Sequence, residues 1–394
     1  MRREITGRLQ EDCRRISGEF SEQIAKEGEQ MPEKGIINSK QFAWLLFIII
    51  TSVSTSQIPA MLVAAAGRDA WLSVLGGWFI NILVAALYAY MGLRFPGENF
   101  VQYSMTILGK YLGRIVGVIF PLFFLLACAT FLRGLSRLVN IAFLPDTPYE
   151  VILVSNFLVS AYIARKGIEV SARMTEVLGP LFFVSGIALF LMVIPSMDMS
   201  RLKPQFADGV LPFLKGTPLV QAFFGLCVIM AMFIPVCNRP EKAFQAKFAA
   251  ISIGTLFVGM LTAFGTGVFG VEQVKNMYSP GLMLARMVHF GTYLERIEIL
   301  WMVILVGASI VAGAIMLWAF SLGIAQLVGL QSYQPLVYPA ALLALMFGLV
   351  SFPGSGEQSK FTHYTFPLLA LGVEVGLEMF LLLAALVFGK RGSA

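Results

Sequence analysis

The chain has 394 residues, 57% of them hydrophobic and only 13% charged, against roughly 45–50% and about 25% for a typical soluble domain. One globular core cannot absorb that excess, and no soluble domain of useful size is left over. In such a chain the net charge of +6 records membrane orientation rather than nucleic-acid binding, while two His and four Cys without CxxC spacing point to no metal or cofactor.

Residues 1–35 form a charged extension in which Ile5, Leu9, Cys13, Ile16, Phe20 and Ile24 recur at spacings of three and four, the pattern of an amphipathic helix. Three readings stay open: a helix on the membrane surface, a contact for a partner, or an over-extended start with Met31 as the initiator. Asn38 and Gln41 have capping-box spacing ahead of the first apolar run, and no cleavable signal peptide precedes it.

Apolar runs of the length that crosses a bilayer are predicted over 41–66, 71–93, 115–142, 149–164, 177–195, 217–237, 247–270, 294–326, 335–352 and 365–388. The fold class is therefore an all-α polytopic membrane protein with ten transmembrane helices, its transmembrane domain covering 36–394. With the N-terminus in the cytoplasm, the segments on that side carry 19 Lys and Arg and the opposite side carries 7, so both termini are expected inside.

The first span carries STSQIP, Ser54–Pro59, near its middle. Pro59 deprives a carbonyl near Thr55 of its helical partner, an expensive loss in hydrocarbon unless protein, water or ligand replaces it. Thr55, Ser56 and Gln57 beside the break are candidate substrate-binding residues in an unwound segment; the alternative is an ordinary proline kink healed by Ser and Thr. Five spans later Gly225 and Pro235 give a weaker interruption, as an inverted repeat predicts.

Intramembrane charges complete the candidates. Arg133 and Arg137 lie one turn apart in the third span, reading either as snorkelling cations or, for Arg133, as a partner for a substrate carboxylate or for Glu298. Glu374 and Glu378 lie one turn apart in the tenth span, where mutual repulsion lets one hold a proton unless an arginine pairs with them; with Glu298 they are the coupling or gating candidates. His289 and His363 flank spans with no nucleophile motif or metal cluster nearby, which weighs against a membrane enzyme.

GRDAWLS (67–73), RFPGENF (94–100), LPDTP (144–148), ARKGIEVSAR (164–173), LERIEIL (294–300) and GIAQLVGL (323–330) resemble the endospore germination permeases. These are the B-type subunits of nutrient germinant receptors, a branch of the amino acid, polyamine and organocation transporter superfamily. The resemblance runs from about Ile36 to Phe352. It implies a five-plus-five inverted repeat, about 39–195 and 217–388, with helices one and six broken. It further implies an inner spore membrane location, an A-type membrane subunit and a C-type lipoprotein as partners, and a small germinant, often an amino acid. The chain departs from the superfamily in placing Ser54, Thr55 and Ser56 where glycines are common, and Leu226 after Gly225 where a carboxylate is common. A working proton-coupled amino acid transporter and a passive receptor scaffold are the competing functions.

Overall fold

A computed structural model describes residues 35–207, 209–287, 297–352 and 354–392. The amphipathic pattern over 1–34, His289, Glu295, Arg296 and the side chain of Gln57 lie outside the described residues.

Long apolar runs give helix after helix: α1 Ser39–Ala66, α2 Ala70–Arg94, α3 Phe100–Ala142, α4 Tyr149–Arg165 and α5 Ile168–Val193. A second series follows with α6 Leu211–Phe224, α7 Met230–Phe233, α8 Ala243–Phe269, α9 Val271–Val274, α10 Pro280–Met287, α11 Ile297–Val328 and α12 Gln334–Val350. The last helical rod is built from α13 Ser355–Lys360, α14 Phe366–Leu371 and α15 Glu378–Val387, joined by π-helical segments Phe361–Thr365 and Gly372–Leu377. Among the described residues, seven helical stretches are long and apolar enough to cross a membrane.

Local chemistry sets the helix starts. Asn38 accepts the amides of Lys40 and Gln41, each at 2.9 Å, and Gln41 returns the bond to the Asn38 amide at 2.9 Å, the predicted capping box. Asn99 and Gln102 repeat the device at the head of α3. Within α3 the chain folds back at Gly109, whose φ of 78° suits glycine. That reversal lays Gly113 on the preceding turn, where a Cβ would lie 2.5 Å from the Met105 Cα and 2.6 Å from the Ser104 carbonyl oxygen. The GxxxG of Gly113 and Gly117, read from sequence as a close-packing motif, thus serves a hairpin within one helix.

Two rods and a broken one run through the centre. Residues 45–55 of α1, 311–323 of α11 and 220–234 around α6 and α7 are buried without interruption, as expected for helices apolar on every side. The outer helices α4, α5 and α12 instead expose Leu158, Tyr162, Val177, Val184, Leu342 and Leu343, a surface suited to lipid rather than water. At one end the Ile37 amide donates to the Val236 carbonyl at 2.9 Å and Asn238 returns a bond to Ile37 at 3.0 Å, tying the entry of α1 to the exit of the broken helix.

The interruptions are distributed differently from the expectation. α1 is continuously helical through Ser54–Pro59, so the predicted unwinding of the first helix is corrected to an intact helix. In the other half the helix changes type where a break was expected: α6 ends at Phe224, Gly225–Ile229 and Ile234–Val236 are 3₁₀ turns, and only Met230–Phe233 between them is α-helical.

Candidate functional site

The intact α1 has a physical reason. Its hydroxyls turn back on their own helix: Thr51 donates to the Phe47 carbonyl at 2.7 Å, Ser52 to Ile48 at 2.6 Å, Thr55 to Thr51 at 2.6 Å and Ser56 to Val53 at 3.3 Å. Such bonds satisfy the side chains without unwinding the backbone. The Thr55 carbonyl, freed by Pro59, faces the backbone of Gly281, where a Cβ would lie 3.7 Å away. Ser54 is the exception, its buried hydroxyl lacking a partner. Beside the stripe, Ser52 and Ser56 face Leu132, Ser309 and Gly313 across a cavity of about 20 Å³, room for about one water molecule.

Gly225 stands at the change of helix type in the second half and is buried. The Glu374 carboxylate occupies the position a Cβ on Gly225 would take, so glycine is required there by close approach. Glu374 lies in the π-helical segment Gly372–Leu377, a distortion often found at functional sites. The two were separate candidates in the sequence; the fold puts them in contact.

Around them lies a polar cluster closed to solvent. Glu374, Glu378 and Lys247 are each 0% exposed, and Tyr88 and Tyr103 are 1% exposed. Tyr103 donates to the Glu378 carboxylate, at 2.9 Å from Oε2 and 3.1 Å from Oε1. Asn81 Nδ2 donates to Gln221 Oε1 at 2.8 Å, while Gln221 Nε2 faces Glu374 without closing a bond. Lys247 Nζ, 5.4 Å above the Tyr88 ring, and both Glu374 oxygens have no hydrogen-bond partner. Lys247 is not among the charges the sequence singles out, since it stands at the very start of the predicted span 247–270. Its flanks, Ala246 and Phe248 with Ala249 and Ala250 beyond, carried the signal that it belongs to the helix.

Arg133 is 8% exposed and holds neutral acceptors in place of the expected Glu298. Its Nε donates to Gln358 Oε1 at 3.2 Å, Nη2 to the Phe352 carbonyl at 2.7 Å and Nη1 to the Gly348 carbonyl. The guanidinium is flanked by Tyr149 and Phe352, whose ring centroids lie at 5.7 and 5.4 Å. The carbonyls at the end of α12 are free of helical partners, which makes them natural targets for a cation. Gln358 in turn donates to the Thr130 carbonyl at 3.1 Å, locking α13 to α3. Glu298 is buried near the start of α11. On one side of this clamp lies a cavity of about 310 Å³ lined by Arg133, Arg137, Tyr149 and Glu150. On the other, one of about 420 Å³ reaches Ala60, Met61, Tyr278 and His363. Both volumes suit a small molecule.

The sequence signature described as spore germination protein matches residues 36–353, which is four-fifths of the chain and includes α1, Arg133, the Gly225 break and Lys247. The chain belongs to the spore germination protein family. Among relatives of this germination permease, Spore germination protein YndE of Bacillus subtilis is 27% identical over 316 residues, covering 80% of this chain and 82% of the relative. Spore germination protein KB of the same organism is 26% identical over 364 residues, covering 91% and 97%. A solved nucleobase-cation-symport-1 family transporter, in a closed conformation with bromovinylhydantoin bound, aligns at a TM-score of 0.68 with 14% identity, over 87% of this chain and 77% of its own. The permease therefore shares a transporter fold, with Glu374 and Glu378 beyond the reach of the family signature.

Proposed function

We propose that this permease is the B-type membrane subunit of a spore germinant receptor, binding a small nutrient, an amino acid by preference, and passing that binding to an A-type membrane subunit and a C-type lipoprotein. In this reading ten spans form two inverted repeats, about 39–195 and 217–388, in the inner spore membrane with both termini cytoplasmic. Residues 1–35 then form a separate extension before the permease domain of 36–394.

The observation that carries the reading is the helix interrupted at Gly225 in the middle of a fully buried rod. A 3₁₀ stretch inside a helix has poorer hydrogen-bond geometry and often marks a functional hinge, and transporters place their substrates at interrupted helices. Thr55, Ser56, Gln57 and Pro59 of α1 would face the ligand with Gly225, entry being from the cavity beside Arg133. A sensor requires differential affinity for two conformations and no net flux, so the closed central space fits a resting state.

Equilibrium binding of labelled amino acids, sugars and nucleosides to the purified protein in lipid nanodiscs tests the proposal, with Gly225→Ala and Gln57→Ala beside the wild type. Saturable binding of one amino acid, lost in the variants, is the expected result. Absence of binding by any of the panel, with the A-type and C-type subunits present, would leave a passive scaffold. The second reading, a proton-coupled amino acid transporter, is favoured by the buried charges of Glu374, Glu378 and Lys247. Accumulation of the bound amino acid in liposomes under an imposed proton gradient separates it from the receptor.

A further inference from the structure

The buried cluster of Lys247, Glu374 and Glu378 is stranger than either reading requires. Three ionisable side chains from two distant helical rods are all 0% exposed, and no ion pair within 4.0 Å joins them among the described residues. They nevertheless lie within electrostatic reach of one another. The other titratable groups facing them are Tyr88 from α2, Tyr103 from α3 and Cys227 from the 3₁₀ turn, all neutral in their ordinary protonated forms. The remaining polar neighbours, Asn81 and Gln221, carry no charge.

Charge counting decides what such a site holds. With all three groups ionised the cluster carries one net negative charge; with one further proton it is neutral. An uncompensated charge away from water costs several kcal/mol, whereas a neutral group left without a hydrogen bond costs less. The Glu378 carboxylate has the Tyr103 hydroxyl to stabilise it. Glu374 closes no hydrogen bond on either oxygen, with only the Gln221 amide facing it, and is the less anchored of the two carboxyls.

We propose that Lys247, Glu374 and Glu378 form one proton-binding site in which the three groups together hold two protons. The exchangeable proton resides on Glu374, against the break at Gly225. Loading is a simple transfer: hydronium gives up a proton to become water and an O–H bond forms on the carboxylate. Because Glu374 abuts Gly225, a change in its charge is felt directly at the interrupted helix. This deepens the coupling role given to Glu374 and Glu378 in the proposed function, but its test does not depend on finding a nutrient.

The experiment is attenuated-total-reflection infrared spectroscopy of the purified protein in lipid, following the protonated-carboxyl stretching band at neutral pH in wild type and variants. Glu374→Gln or Glu378→Gln leaves one carboxylate against one ammonium, so the band is lost. Lys247→Met leaves two carboxyls without a counter-ion, so the band grows about twofold. Lys247→Arg keeps the charge and the wild-type band, which separates the role of charge from that of packing. A band unmoved by any of the three neutral substitutions would overturn the proposal. So would a band that disappears on adding sodium, because that result assigns the site to a metal cation.

Discussion

Replacing Gly225 by alanine tests the contact on which the site is built. The new methyl group enters the space of the Glu374 carboxylate, which is fully buried and has no hydrogen bond to hold it elsewhere. Overpacking of this kind typically costs about 1–3 kcal/mol, while alanine in a helical backbone returns up to about 1 kcal/mol relative to glycine. The single variant should therefore lose roughly 0–3 kcal/mol by the same two effects, too ambiguous a result to read alone. A double-mutant cycle removes the ambiguity. Glu374→Ala empties the space, so the steric term vanishes from the double variant and only the propensity gain remains. The coupling between the two substitutions should then equal the steric term, about 1–3 kcal/mol. Reversible unfolding of the four proteins in mixed micelles, monitored by circular dichroism, measures it. Additivity within about 0.5 kcal/mol would mean that Gly225 and Glu374 do not touch and would refute the reasoning.

Arg133→Ala should destabilise the protein by about 2–4 kcal/mol because three acceptors lose a charged donor, and Arg133→Lys should recover only part, since one ammonium cannot serve the Gln358, Gly348 and Phe352 oxygens together; full recovery by lysine in the same unfolding assay would contradict the clamp. Thr55→Ala removes a hydroxyl bonded to its own helix and should cost no more than about 1 kcal/mol, so a loss several times larger would place its partner outside α1. Asp198, in the loop before α6, has its carboxyl held below the ordinary value by hydrogen bonds from the Ser200 hydroxyl and amide, with Arg201 adding to them. A depressed acid contributes stability above its unfolded value and loses it as pH falls through the folded one. Wild type and Asp198→Asn should thus converge in melting temperature on acidification, and a difference that widens toward acid would reverse the assignment.

Much of this architecture was legible in the order of residues because its determinants are local. Apolar runs long enough for a bilayer mark the helices, and Asn38 with Gln41 fixes the start of α1 within four residues of chain. Gly225 marks a break because a glycine and a nearby proline weaken a helix wherever it is placed. The germination signature was equally readable, since short motifs such as RFPGENF and LPDTP lie in the loops that fix the chain's reversals. STSQIP misled because its hydroxyls bond back to their own helix while the carbonyl freed by Pro59 lies against Gly281, a neighbour from a distant segment that the sequence of α1 does not name.

The charges were decided by the tertiary structure. Lys247 and Glu374 are separated by more than a hundred residues, and neither span alone says that one faces the other. Helical periodicity gives a side chain's face but not what lies opposite it, so Arg133 could be assigned a carboxylate by sign and only the fold could give it three neutral oxygens. The sequence by itself determined a membrane-spanning helical permease of the germination family, because burial in lipid and backbone hydrogen bonding act within each segment. Which polar groups meet inside it depended on helix packing, because a buried charge is set by the partners that distant segments bring to it.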